Sequence, residues 1–150
     1  MVLRQVVWVI LVSAIGCSKP VEFQRVEVTG TVTLNGQPLE EGTISIYPDV
    51  KVKGPLVQAK IVGGKFSLTK KEGPATGANR VSIKAVKKTG RKISSDGIES
   101  DEVLQYIPPQ YNDDTTLKAD VKPEPTKNEF VFELSGQVAP RNADGTSAGP

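Results

Sequence analysis

From residue 26 onward the chain alternates apolar and polar side chains with a period of two, the repeat of strands that bury one face. Val26, Val28, Val32 and Leu34 fall on one side with Gly30 in register, and Glu27, Thr29, Thr31 and Thr33 fall on the other. Asn35-Gly36 then predicts a two-residue hairpin turn, because both residues tolerate positive φ. A second strand opens at Gly42, turns Ile44 and Ile46 inward and Thr43, Ser45 and Tyr47 outward, and stops at Pro48. After a turn-rich stretch over 49–55, strands are predicted at 56–62 and 65–69, joined by Gly63-Gly64, with Phe66 and Leu68 on the core side. Another runs over 79–86 with Val81, Ile83 and Ala85 inward. Two more cover 115–121, through Leu117, Ala119 and Val121, and 128–134, through Phe130, Phe132 and Leu134. The segment 87–110, rich in Lys, Ser, Asp and Gly, predicts the longest irregular piece. No segment carries a helical stripe. Seven short strands at this spacing predict an all-β fold, a single seven-stranded antiparallel β-sandwich over residues 25–134. Residues 135–150 offer little to bury and predict a disordered tail.

The N-terminus follows another pattern. Met1 to Gln5 carries one cation, Arg4, and residues 6–16 are then uncharged and largely apolar. Eleven residues are too few to cross a bilayer core, which takes about 20. They suit the apolar region of a secretory signal. Ser13-Ala14-Ile15-Gly16 before Cys17 resembles the bacterial lipobox, with Ala14 where leucine is usual. That resemblance implies a signal peptide over 1–16, a diacylglycerol thioether on Cys17, and a lipidated tether over 17–24. Multiple acyl chains hold a protein on a membrane where one chain is marginal. The expected localisation is therefore export, with the domain facing the periplasm or exterior from the cell membrane or outer membrane.

Composition narrows the chemistry. Cys17 is the only cysteine, so no disulfide can close within the chain, and lipidation would consume the thiol. Histidine is absent. Without a histidine base or a free thiol, nucleophilic triads lack their parts, and no carboxylate sits in an apolar run that would raise its pKa. The chain is therefore expected to be non-catalytic and to use no cofactor. A formal charge of +2 with acids and bases interspersed provides no footprint for nucleic acid.

The series from Val28-Thr29-Gly30 through Asn35-Gly36-Gln37-Pro38-Leu39 to Gly42-Thr43-Ile44 is similar to the opening of carboxypeptidase-regulatory-like domains. Gly63-Gly64-Lys65-Phe66-Ser67-Leu68 resembles their later turn and strand, and Gly77 to Lys84 stands where they carry an aromatic, here replaced by Asn79 or Arg80. Pro108-Pro109-Gln110-Tyr111-Asn112 resembles the closing motif of planctomycete-type envelope lipoproteins. The resemblance implies a transthyretin-like or Ig-like sandwich. The histidine-dependent hydrolase activity of some transthyretin-like proteins does not carry over to a chain without histidine.

The candidate binding surface comprises Tyr47, Lys87, Lys88, Arg91, Lys92, Tyr106 and Tyr111. The basic run is followed within the same segment by Asp96, Glu99, Asp101 and Glu102, which predicts a solvated, self-neutralising loop. Those acids lack the spacing of a calcium loop, so no metal site is expected. A tyrosine following two prolines, as Tyr111 does, commonly pins a loop through its hydroxyl. The leading expectation is a membrane-anchored lipoprotein whose sandwich binds or holds an envelope protein or glycan. The alternative is a soluble secreted module for carbohydrate or calcium.

Overall fold

The computed structural model describes residues 23–136. The expected signal peptide, Cys17, most of the tether and the tail beyond Gly136 lie outside the described residues. Within them the protein is all-β, with ten strands rather than seven. These are β1 (Val28–Leu34), β2 (Gln37–Pro38), β3 (Glu41–Pro48), β4 (Val57–Val62), β5 (Lys65–Leu68), β6 (Gly77–Lys84), β7 (Val86–Ser95), β8 (Ile98–Gln105), β9 (Lys118–Val121) and β10 (Glu129–Leu134). The helical content among the described residues is two single 3-10 turns, Pro109–Tyr111 and Pro125–Lys127.

Eight strands form one strongly curled sheet in the order β10-β1-β5-β4-β3-β6-β9, with β2 on β1. The period-two residues supply its inner face: Val28, Val32, Ile44, Ile46, Ile61, Val81 and Ile83 are all essentially inaccessible. Burying each such side chain contributes about 1.5–3 kcal/mol. Phe66 stacks against Phe132 with centroids 6.2 Å apart. Gly30 allows that packing, since a β-carbon there would stand 2.7 Å from the Phe66 ring and 2.2 Å from the Phe130 carbonyl oxygen.

Two departures from the expected sandwich have simple causes. The pairing is not wholly antiparallel: β10 runs parallel to β1 from Thr29↔Glu129 to Leu34↔Leu134. The loop after β9 returns the chain to the end where β1 begins, so both strands leave in the same direction. Halfway across the sheet, β4 and β5 share one registered pair, Val62↔Lys65, at their Gly63-Gly64 turn.

The third departure is the segment 87–110, which is not irregular. It holds β7 and β8, a separate two-stranded antiparallel ribbon. Its turn is Asp96-Gly97, with φ of 51° and 78°, the same positive-φ pair as Asn35-Gly36 at 53° and 80°. Those angles suit the right-handed twist of a tight hairpin. All ten residues of β7 are exposed, so neither face needed apolar side chains and the period-two signal was never written. We refer to this ribbon as the arm.

Topology gives the body two ends. The chain enters at Phe23, where the β3–β4, β5–β6 and β9–β10 loops gather. Thr76 donates to the Gln24 carbonyl, Val26 to that of Pro74, and Thr29 to that of Asn128. The arm leaves from the opposite end, where β6 finishes and β3 begins.

Candidate functional site: the root of the arm

Ala85, 2 % exposed, separates β6 from β7 and stays in the core while the chain beyond it enters solvent. Gln105 fixes the returning strand: its Oε1 accepts from the backbone N–H groups of Ala85 and Ile107, each at 3.1 Å. The Tyr106 N–H donates to the Ala85 carbonyl at 3.1 Å. Three hydrogen bonds thus set where the arm leaves the body.

Beside this root lies an open cleft of about 590 Å³. Glu40 and Glu41 line it from the body, Lys87 and Lys88 from the arm, with Val86, Val103 and Tyr106 between them. A second cleft of about 430 Å³ shares Glu41 and Val86 and continues over Thr43, Lys60 and Lys84. Tyr106 is partly buried. Its phenol is pushed above the ordinary value by desolvation first, then by the negative charges of Glu41 and Glu40.

Farther out, charges join the two strands of the arm. Asp101 lies between Lys88 at 2.5 Å and Lys92 at 2.6 Å. Hydrogen bonding from Lys88 and then Lys92 holds its carboxyl below the ordinary range, and Asp101 in turn raises Lys88. Extra residues on β7 between Lys88 and Lys92 form a bulge with Gly90 at φ 83°. There Arg91 makes a two-pronged pair with Glu102, Nε to Oε2 at 2.7 Å and Nη2 to Oε1 at 3.0 Å. The Thr89 hydroxyl also donates to Glu102. Thr89 foremost, and Arg91 after it, lower the Glu102 carboxyl against the opposing effect of desolvation.

The seven surface residues singled out from sequence therefore separate. Lys87, Lys88 and Tyr106 meet at the cleft, while Arg91 and Lys92 stand outward along the arm. Tyr111 lies apart from the cleft, beside the end of β10, where its hydroxyl accepts from the Ser135 backbone N–H at 3.2 Å and lies 3.4 Å from the Ser135 hydroxyl. It ties the end of β10 to the loop after the arm. Hydrogen bonds with Ser135 and Gln110 lower its phenol below the ordinary value. Tyr47 faces Arg80 across the β3–β6 pair, with the guanidinium 5.7 Å from the ring centroid.

Glu40, Glu41 and Gln105 complete the root and were not singled out from sequence. Glu40-Glu41 sits more than forty positions before Lys87-Lys88, and periodicity carries no information about charges that distant strands bring together. The clefts can recognise polar groups of either sign. Both carboxylates on the body side are exposed to solvent. Among the described residues no three His, Cys, Asp or Glu side chains converge as a metal site. The arm itself shows Val86, Ile93, Ile98 and Val103 to solvent, four apolar points on an otherwise charged ribbon.

No family model, curated protein or solved structure matches the chain.

Proposed function

We propose that the protein is a lipid-anchored, non-catalytic envelope protein that holds the arm and its root cleft out toward a partner. One observation carries the reading. The uncharged segment 6–16 ends at the only cysteine, and six residues later the chain enters the domain at the end opposite the arm. A lipid on Cys17 would put the bilayer beneath the entry end and the arm on the side away from it. The arm's exposed strand edges and scattered apolar points suit contact with another protein or a glycan. The curled sheet would act as a sandwich, its halves hinged at the Gly63-Gly64 turn and closed over one core. A carboxypeptidase-regulatory-like origin agrees with the turn and strand motifs quoted above.

Intact-mass spectrometry of the protein from its host's membrane fraction tests the anchor. The expected species begins at Cys17 and carries added acyl mass. A chain that is unmodified, or cut elsewhere, sinks the proposal. Deleting residues 87–104 tests the arm: the shortened protein should remain membrane-bound and lose whatever partners cross-link to the intact chain.

A further inference from the structure

Two loops pack together at the end where the chain enters. The β3–β4 loop passes along the β5–β6 loop, with Gly54 against Ala75 and Val52 beside Gly77. The Arg25–Ala75 bridge and the Arg25 hydrogen bond to the Gly73 carbonyl join the β5–β6 loop to the entering chain. Exposed on this joined surface are Lys51, Lys53, Lys70 and Lys71, which make no ion pair among the described residues. The acids beside them are occupied locally: Asp49 accepts from the Val50 N–H, and Glu72 from the Thr69 hydroxyl. Between the first two lysines and the acid stands Val50, 97 % exposed, and the same loop ends at Leu56, 56 % exposed. On the arm, by contrast, Lys88, Arg91 and Lys92 are all paired.

We propose that these two loops dock on an anionic lipid surface, with the four lysines facing headgroups and Val50 entering the interface. The partner follows from charge, apolarity and place. Basic side chains beside a bilayer are attracted to acidic lipids, and a small apolar tip adds partition into the interface. The six residues from Cys17 to Phe23 reach at most about 22 Å when fully extended, so a lipid on Cys17 keeps the loops next to headgroups. The inference rests on the anchored reading for that placement. A single anchor leaves the domain swinging; a second contact fixes its orientation and points the arm away from the bilayer.

The test uses the full chain recovered from its host's membranes, carrying Trp8→Phe and Val50→Trp so that the loop holds the sole indole. It is reconstituted into phosphatidylcholine vesicles with and without phosphatidylglycerol, all containing brominated acyl chains that quench indole on contact. The expected result is quenching with phosphatidylglycerol, about tenfold weaker without it or at high salt. The combined substitution Lys51→Glu, Lys53→Glu, Lys70→Glu and Lys71→Glu should abolish the difference. Circular dichroism checks that this variant folds, and the milder Lys51→Gln, Lys53→Gln pair with a salt titration decides the matter if it does not. Equal quenching in both lipids, or none in either, overturns the proposal. The mass of the same sample separates the two ideas. Acid-lipid-dependent quenching without acyl mass sinks the anchor and keeps the docking surface. Acyl mass with lipid-independent quenching does the reverse.

Discussion

The body and the arm are both β-structure, yet different forces hold them. In the body, Ile44, Ile46, Val81 and Ile83 are fully buried from adjacent strands, and the hydrophobic effect carries the sheet. In the arm every residue of β7 is exposed. Backbone pairing, a tight Asp96-Gly97 turn and the cross-strand charges Lys88–Asp101–Lys92 and Arg91–Glu102 are what join its strands. A lone two-stranded ribbon is marginal in water, and exposed ion pairs contribute little each. Secondary structure alone therefore says nothing about local stability. The arm can open while the body remains folded, whereas the body cannot loosen without losing its core.

The largest predicted effect separates the two regions directly. Ile83→Ala removes a fully buried side chain and should cost about 2–5 kcal/mol, read as a lower denaturation midpoint at unchanged slope. Ile98→Ala, at an arm position 72 % exposed, should leave the midpoint unchanged. Equal losses from both would mean that arm and body unfold as one unit.

A second effect belongs to the arm alone. Asp101 and Glu102 titrate below their ordinary values of 3.8 and 4.5 when paired. Their contribution is thus present above those values and is lost as the pH falls through the lower, paired ones. Lys88 is raised from 10.5, so its contribution persists below that value and disappears as the pH climbs through the higher one. Hydrogen exchange at arm amides should accelerate at both extremes, and at neutral pH in molar salt, while the body's amides stay protected. Glu102→Gln should weaken the acid dependence. Arm amides indifferent to salt and acid would show that turn and backbone suffice.

What was legible in the sequence divides along the same line. Period-two alternation gave the inward faces of β1, β3, β5, β6, β9 and β10 because each has one wet and one dry side. The arm has two wet sides, so composition made it look irregular although Asp96-Gly97 carried the turn signal. Three buried asparagines escaped for another reason. Asn79 donates to the Ala75 and Gly77 carbonyls, Asn112 to those of Ile107 and Pro108, and Asn128 to those of Lys122 and Glu124. Each spools a loop around an amide. Their burial depends on tertiary closure, which local propensity does not encode. The root cleft was hidden likewise: Tyr106 and Lys87 could be picked out singly, but Glu40, Glu41 and Gln105 reach them through the pairing of β3 with β6 and the return of β8.

The smallest predicted effect probes the junction where body and arm meet. Tyr106 and Tyr111 are separated by five positions, yet their environments push them to opposite sides of 10.0. Desolvation and the carboxylates of Glu41 and Glu40 raise Tyr106, whereas hydrogen bonds with Ser135 and Gln110 lower Tyr111. Ultraviolet titration should therefore lose its earlier component in Tyr111→Phe and its later one in Tyr106→Phe. Glu41→Gln should move the later component down and leave the earlier one in place. A Tyr106 that titrates at its ordinary value would mean that water fills the root cleft and that Gln105 does not hold the arm against the body. A raised Tyr106 persisting in molar salt, after the outer charge pairs are screened, would show the opposite: the root belongs to the body, and the arm begins to loosen beyond Lys88.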